Sequence, residues 1–141
     1  MAHKFNVIGA YAELIARAAL HANGWKSVGS CDASEAHDIQ ARHPVTDEWR
    51  TFQCKTIHVR EDRRGEYKVP GKKSNGSVYT KSDADLFIGV LVGDGEGPKV
   101  WTFANREITE YWGPQSGAGK EWTELPLNLD RATLHQAEVA M

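Results

Sequence analysis

The run Leu86–Val92, LFIGVLV, constrains this chain more than any other segment. It carries no charge and is far shorter than the ~20 residues that span a bilayer, so it reads as a strand buried in a sheet. A partner strand is expected at Lys99–Phe103, beyond the turn Gly93–Gly97. Upstream, residues 8–22 (IGAYAELIARAALHA) are rich in strong helix formers and stop at Asn23-Gly24. Ile8, Tyr11, Ala12, Leu14, Ile15, Ala18 and Ala19 recur at three- and four-residue spacing, which predicts a broad core-facing stripe. Trp25–Val28 is expected to be a short strand. Asp38–Arg42 and Trp49–Val59 read as strands joined by the polar turn His43–Glu48 with its Pro44 breaker. Residues 60–82, rich in Gly, Lys and Ser, read as a long loop. Asn105–Trp112 reads as a short helix, and Asp130 as the N-cap of a helix running to Met141. The order predicts one mixed α/β domain over residues 1–141, with a small sheet and a single core.

Charge is unevenly placed. The 141 residues sum to −2, but residues 55–81 hold eight Lys and Arg against three Asp and Glu, while residues 82–141 hold four against ten. One basic segment beside an acidic tail points either to a polyanion contact on one face or to a solvated basic loop. With 40% apolar and 26% charged residues the composition is that of a soluble globular domain, which excludes a disordered tail and a coiled coil. Glu13 and Arg17 interrupt the N-terminal apolar stretch, so it does not read as a signal peptide. Cys31 and Cys54 are too few for a disulfide framework, and a reducing, cytoplasmic setting is expected.

The hairpin around residue 46 is where the chain becomes chemically specific. Side chains alternate along an extended strand, so Gln53 and Lys55 share one face and Phe52 and Cys54 the other. With the turn centred between Thr46 and Asp47, Asp38 is expected opposite Lys55 and Gln40 opposite Gln53. A one-residue slip would scatter this cluster of carboxylate, amides and ammonium. Such a set suits metal-assisted phosphodiester hydrolysis, because magnesium prefers carboxylate, carbonyl and water oxygens. Asp38 would supply the charged ligand, Gln53 an amide oxygen and Cys54 its backbone carbonyl. Lys55 would orient or deprotonate water, or neutralise charge developing on the phosphate. Glu13, on a helix whose small neighbours Gly9, Ala10 and Ala16 allow close approach, would complete the site.

Glu13 in an Ala-rich helix, Asp38-Ile39 and Phe52-Gln53-Cys54-Lys55-Thr56 together resemble the PD-(D/E)XK nuclease signature. Gln53 stands where most members carry an acid. With Tyr79 and Asp83-Ala84-Asp85-Leu86-Phe87 following, the chain is similar to the branch containing group I intron-encoded homing endonucleases, over roughly residues 5–103. The resemblance implies a restriction-endonuclease-like core, a small mixed β-sheet flanked by helices, with 104–141 as a C-terminal extension. It implies a Mg²⁺-dependent enzyme, with Mn²⁺ able to substitute, that cuts double-stranded DNA as a homo-oligomer, dimer or tetramer, in a bacterial or phage-infected cell. The helix that usually follows the Lys-bearing strand is not visible; a basic loop, 58–82, takes its place. In this context Arg60, Arg63, Arg64, Lys68, Lys72, Lys73 and Lys81 are expected to contact phosphates, and Tyr79 to pack on sugars or bases or cap a core edge. A Holliday junction resolvase, a restriction-like nuclease and a non-catalytic DNA-binding module share the same core and stay open.

Single residues have plainer readings. Glu13 and Arg17 form an ordinary i,i+4 surface pair, and Asp85 suits the cap of a strand. Gly113–Lys120 is not a P-loop, since Pro114 holds the place of the first glycine and Glu121 that of the Ser or Thr. Cys31, His37, His43 and Cys54 match no zinc spacing.

Overall fold

A computed structural model describes residues 3–31, 37–93, 95–113, 121–129 and 131–132, with side chains from residue 7 onward. Its first element is a 20-residue helix, α1 (His3–Ala22). The helix stops at the expected dipeptide: the Asn23 and Trp25 amides donate to the Ala19 and Leu20 carbonyls at 3.1 and 3.0 Å, and Gly24 takes φ +87°. The buried stripe is narrower than the sequence suggests. Ala12, Ala16, Ala19 and Leu20 are buried with Ile15 packed beside them, while Val7, Tyr11, Leu14 and Ala18 face outward. Seven apolar positions cover more of the helix than one sheet face can, and the alanine side wins because methyl groups let the helix backbone lie close on the strands.

Nine strands follow among the described residues: β1 (Lys26–Ser30), β2 (Ile39–Arg42), β3 (Trp49–Thr56), β4 (His58–Arg60), β5 (Glu66–Pro70), β6 (Leu86–Leu91), β7 (Lys99–Ala104), β8 (Glu110–Gly113) and β9 (Thr123–Glu124). Six form one sheet in the order β1-β2-β3-β6-β7-β9, and β4-β5-β8 form a second. The β3–β6 pair is parallel and the others are antiparallel, so the main sheet is mixed and the domain is α/β, as expected.

Three expectations are corrected. The segment 60–82 is a loop only in its second half: after a single 3₁₀ turn at Glu61–Arg63 it supplies β5, and from residue 71 on it is irregular apart from the bridge of Lys72 with Val78. Val59, Tyr67 and Val69 alternate with His58, Glu66 and Lys68, a two-residue period hidden by the charges, and Arg64 and Gly65 (φ +58° and +79°) turn the hairpin. Asn105–Trp112 is not a helix, because Tyr111 enters the core and pairs with Val69 across the β5–β8 ladder. The long strand Trp49–Val59 breaks at buried Ile57, where the chain leaves one sheet for the other. The helix expected from Asp130 and residues 114–120 lie outside the described residues, apart from helical Arg131 and Ala132.

Alternation along β6 divides the interior. Ile88 and Val90 point to α1, with Ile39, Phe52 and Val100. Phe87 points to the small sheet, where it meets Tyr79, Phe103 and Tyr111, and Trp122 stacks on Phe103 at 4.4 Å. Gly89 faces the same way; a Cβ there would come within 3.1 Å of Ile57 and 3.5 Å of Val69, so glycine lets the two sheets close. The second layer is thus a sheet where the family resemblance suggests helices. Buried Asn105 ties it down: its Nδ2 donates to the Thr80 and Ala84 carbonyls (3.0 and 2.9 Å), and its Oδ1 accepts from the Glu107 amide and the Tyr111 hydroxyl (2.9 and 3.2 Å). No helix among the described residues is long and apolar enough to cross a membrane.

Candidate active site

β2 ends its pairing early. Its ladder with β3 runs from Arg42 opposite Trp49 to Ile39 opposite Phe52, so Gln53–Thr56 pair with β6 on one edge and have no β2 partner on the other. The turn that sets this register is closed by the His43 amide on the Glu48 carbonyl (2.8 Å), with His43 Nδ1 accepting from the Val45 and Thr46 amides. Its centre lies between Val45 and Thr46, one position earlier than expected, which moves the pairing by two residues. Gln40 therefore faces Thr51, and the next step of the same register sets Asp38 across from Gln53 instead of Lys55. A shift of two preserves the faces, so the cluster survives the error.

The notch beside β3 is closed by Asp38 and α1. Asp38 Oδ2 accepts from the Cys54 amide at 3.0 Å and from Gln53 Nε2 at 2.8 Å, standing in for the missing strand. Above it lies a cavity of about 330 Å³ lined by Gly9, Ala12, Glu13, Asp38, Cys54, Lys55 and Thr56. Glu13 reaches it because the alanine face of α1 packs tightly. Its Oε2 accepts from Ser30 Oγ at 2.9 Å, and Arg17 Nε lies 4.0 Å away, so the i,i+4 pairing read from sequence coexists with a place in the wall. Lys55 Nζ donates to the Tyr79 hydroxyl at 2.9 Å.

Of the four expected catalytic side chains, Glu13, Asp38 and Lys55 line the cavity. Gln53 does not: it is buried beneath Asp38, and its Oε1 has no hydrogen-bond partner. Burial, reinforced by the Glu13 charge, pushes the Asp38 carboxyl above its ordinary range, although the Cys54 amide and Lys55 pull the other way. Burial together with Asp38 and Glu13 pushes the Cys54 thiol up to about 12, so its sulfur stays protonated and inert. The cavity thus gathers two carboxylates and an ammonium around water-sized space, and carboxylate oxygens are the ligands that hard cations prefer. Among the described residues no group of three or more His, Cys, Asp or Glu is placed to hold a metal.

The basic residues divide. Arg60, Arg63 and Lys68 surround the Trp112 ring at 5.7, 4.8 and 5.6 Å from its centroid, on the outer face of the small sheet. Arg64, Lys72 and Lys81 are exposed, and Lys73 pairs with Asp83 at 2.8 Å. Tyr79, expected either among the DNA contacts or at a core edge, is buried edge-on to Phe87 at 5.6 Å. Asp85 Oδ2 accepts from the Thr51 amide at 2.9 Å and caps the start of β6. Ser30 as a partner of Glu13 and the gathering of cations around Trp112 escaped the sequence reading; only the alternation in 58–69 carried a signal for the sheet that displays Trp112.

No protein-family model matches the chain, and no curated protein matches its sequence. Among solved structures its fold is similar to that of a bacterial homing endonuclease, I-Ssp6803I, with a TM-score of 0.60 and 15% identity over 95% of each chain. At that identity the likeness is one of fold.

Proposed function

We propose that this chain is a divalent-metal-dependent DNA endonuclease of the homing type, built on a PD-(D/E)XK site in which Gln53 replaces an acid. The observation that carries this reading is the meeting of Glu13, Asp38 and Lys55 on one cavity, within a fold like that of a homing endonuclease.

The donor set suits Mg²⁺ or Mn²⁺. Asp38 and Glu13 would bring two carboxylates and Cys54 a backbone carbonyl, and the unpartnered Gln53 Oε1, buried beneath Asp38 and off the cavity, is an oxygen that a water of the ion would satisfy. When bound, the ion supplies a Lewis acid that neutralises charge on the phosphate and acidifies its water. Asp38 holds its place through the Cys54 amide and Gln53 Nε2. Lys55 faces the scissile phosphate, where its ammonium balances charge as water adds to phosphorus and the leaving oxygen departs with a proton. Arg60, Arg63, Arg64, Lys68, Lys72, Lys73 and Lys81 supply backbone affinity without sequence information. One cavity serves one strand, so cutting a duplex calls for two or more copies.

A non-catalytic DNA-binding module is the second reading. Gln53 favours it, since its amide donates to Asp38 where an acid would add charge to a metal site. The test is incubation of the purified chain with duplex, four-way-junction and single-stranded DNA, with and without Mg²⁺. Metal-dependent cuts at a discrete duplex site support the homing type, and cuts at junctions point to a resolvase. Salt-sensitive binding without cuts under any metal leaves the binding module.

A further inference from the structure

Lys55 is anchored by a neutral group. Among the described residues it forms no ion pair within 4.0 Å, although Asp38 and Glu13 share its cavity. Its ammonium donates to the Tyr79 hydroxyl at 2.9 Å and lies 4.9 Å from the centre of that ring. A lysine has a long, flexible stem, so an untethered ammonium would wander and collapse onto the nearest carboxylate. That collapse would spend the positive charge and one of the two acids at once. A carboxylate anchor would fix the ammonium but cancel its charge. A hydroxyl takes one of its three protons and leaves its charge and the other two donors free.

The anchor itself is rigid. Tyr79 is 8% exposed, its ring stands edge-on to Phe87 at an interplanar angle of 86°, and its amide donates to the Gly71 carbonyl at 3.3 Å. On one side the Lys72–Val78 bridge holds its neighbour, and on the other Asn105 Nδ2 holds the Thr80 carbonyl. The segment between β5 and β6 thus has a use in a cavity it does not line.

We propose that Tyr79 is a positioning residue for Lys55, its hydroxyl holding the ammonium toward the cavity without neutralising it. The inference rests on the nuclease reading, and its two tests separate the contact from the catalysis. In the metal-free protein without DNA, a ¹⁵N-lysine spectrum should show a Lys55 ammonium signal protected from exchange, assigned by its loss in Lys55→Met. That result is required of the unaltered chain, whether or not any variant folds, and a Lys55 ammonium exchanging as fast as the exposed lysines would overturn the proposal. Tyr79→Phe keeps the ring and should lose the protected signal. At saturating DNA it should cut about 10–100-fold more slowly in single turnover, with Kd for DNA unchanged, the scale on which removing a supporting partner acts. Cleavage at the wild-type rate, a signal that survives in Tyr79→Phe, or a weakened Kd with an unchanged saturated rate would each overturn it, the last by making Tyr79 a DNA contact. If the unaltered chain cuts nothing, the nuclease reading falls and the catalytic role with it, while the spectrum still reports on the contact.

Discussion

The notch beside β3 and the outer face of the small sheet both hold acids and bases, and they treat them in opposite ways. Around Trp112, cations are paired: Arg60 with Asp62 at 2.8 Å and Lys68 with Glu110 at 3.2 Å. Their partners respond as solvent-facing pairs do, with the Arg60 guanidinium holding Asp62 and the Lys68 ammonium holding Glu110 below the usual carboxylate range. Asp47 and Asp83 follow the same rule beside Lys26 and Lys73. Asp38 goes the other way, raised mainly by burial. Paired charges on a surface look after themselves and contribute little. A half-buried carboxylate kept beside another acid, with the nearest ammonium tied elsewhere, works against the stability of the fold, and such sites mark function.

The contrast breaks first, and most visibly, at Lys55. Lys55→Ala should slow cleavage by about 10²–10⁴-fold, the usual worth of a group acting on a proton or on developing charge, while DNA affinity measured by filter binding stays near wild type. A parallel loss of affinity would move Lys55 from the chemistry to the surface.

Next in size is the link between the two regions. Asn105→Ala leaves the Ala84 carbonyl and the Glu107 amide without their side-chain partner, and takes one partner from the Thr80 carbonyl and the Tyr111 hydroxyl, which keep the Asp83 and Ala84 amides and the Arg106 amide. Chemical denaturation should show a loss of about 3 kcal/mol, since each orphaned group costs about 1–3. A stability unchanged by Asn105→Ala would mean that the segment behind Tyr79 is held by something else.

Asp38→Asn sharpens the comparison through its pH dependence. Both hydrogen bonds to Asp38 end on the same oxygen, so an asparagine carbonyl accepts both and removes the charge. Because the folded-state pKa is raised, the charged form opposes folding; the penalty is absent below the unfolded value of 3.8 and grows as pH rises through the folded one. Metal-free Asp38→Asn should therefore melt above wild type near pH 7, and the gap should close toward pH 4. For Asp47, Asp62, Asp83 and Glu110 the sign is reversed, their contribution being present at neutral pH and lost as pH falls. A gap that widened on acidification would contradict the burial argument.

The smallest effects belong to the Trp112 face. Arg63→Ala should reduce the slope of log affinity against log salt by about one, as removal of one phosphate contact does. Asp62→Asn weakens the hold on Arg60 and should tighten DNA binding slightly while lowering the melting temperature by little, as for an exposed ion pair. No change in the salt slope for Arg63→Ala would show that this face does not touch DNA.

Legibility in the sequence followed the strength of each local signal. Leu86–Val92 and the helix ending at Asn23-Gly24 were readable because one long apolar run and one stop dipeptide leave few choices. The meeting of Asp38 and Lys55 was readable despite a register wrong by two, because alternation in a strand depends only on parity, while the burial of Gln53 beneath Asp38 was not. The small sheet was not, since three apolar residues in 58–69 were masked by seven charged ones, and strand pairing with distant Tyr111 leaves no local trace. The part of Tyr79 was equally hidden: nothing in the order of residues says that a tyrosine 24 positions on will meet Lys55.

The most direct measurement is the rate at which duplex DNA carrying a mapped cut site is cleaved by the unaltered chain and by Asp38→Asn, each with Mg²⁺ and with chelator. Cleavage by the unaltered chain with Mg²⁺ alone, and loss of at least about a hundredfold in Asp38→Asn despite its higher melting temperature, is the result the notch predicts. Equal rates for the two proteins would contradict it.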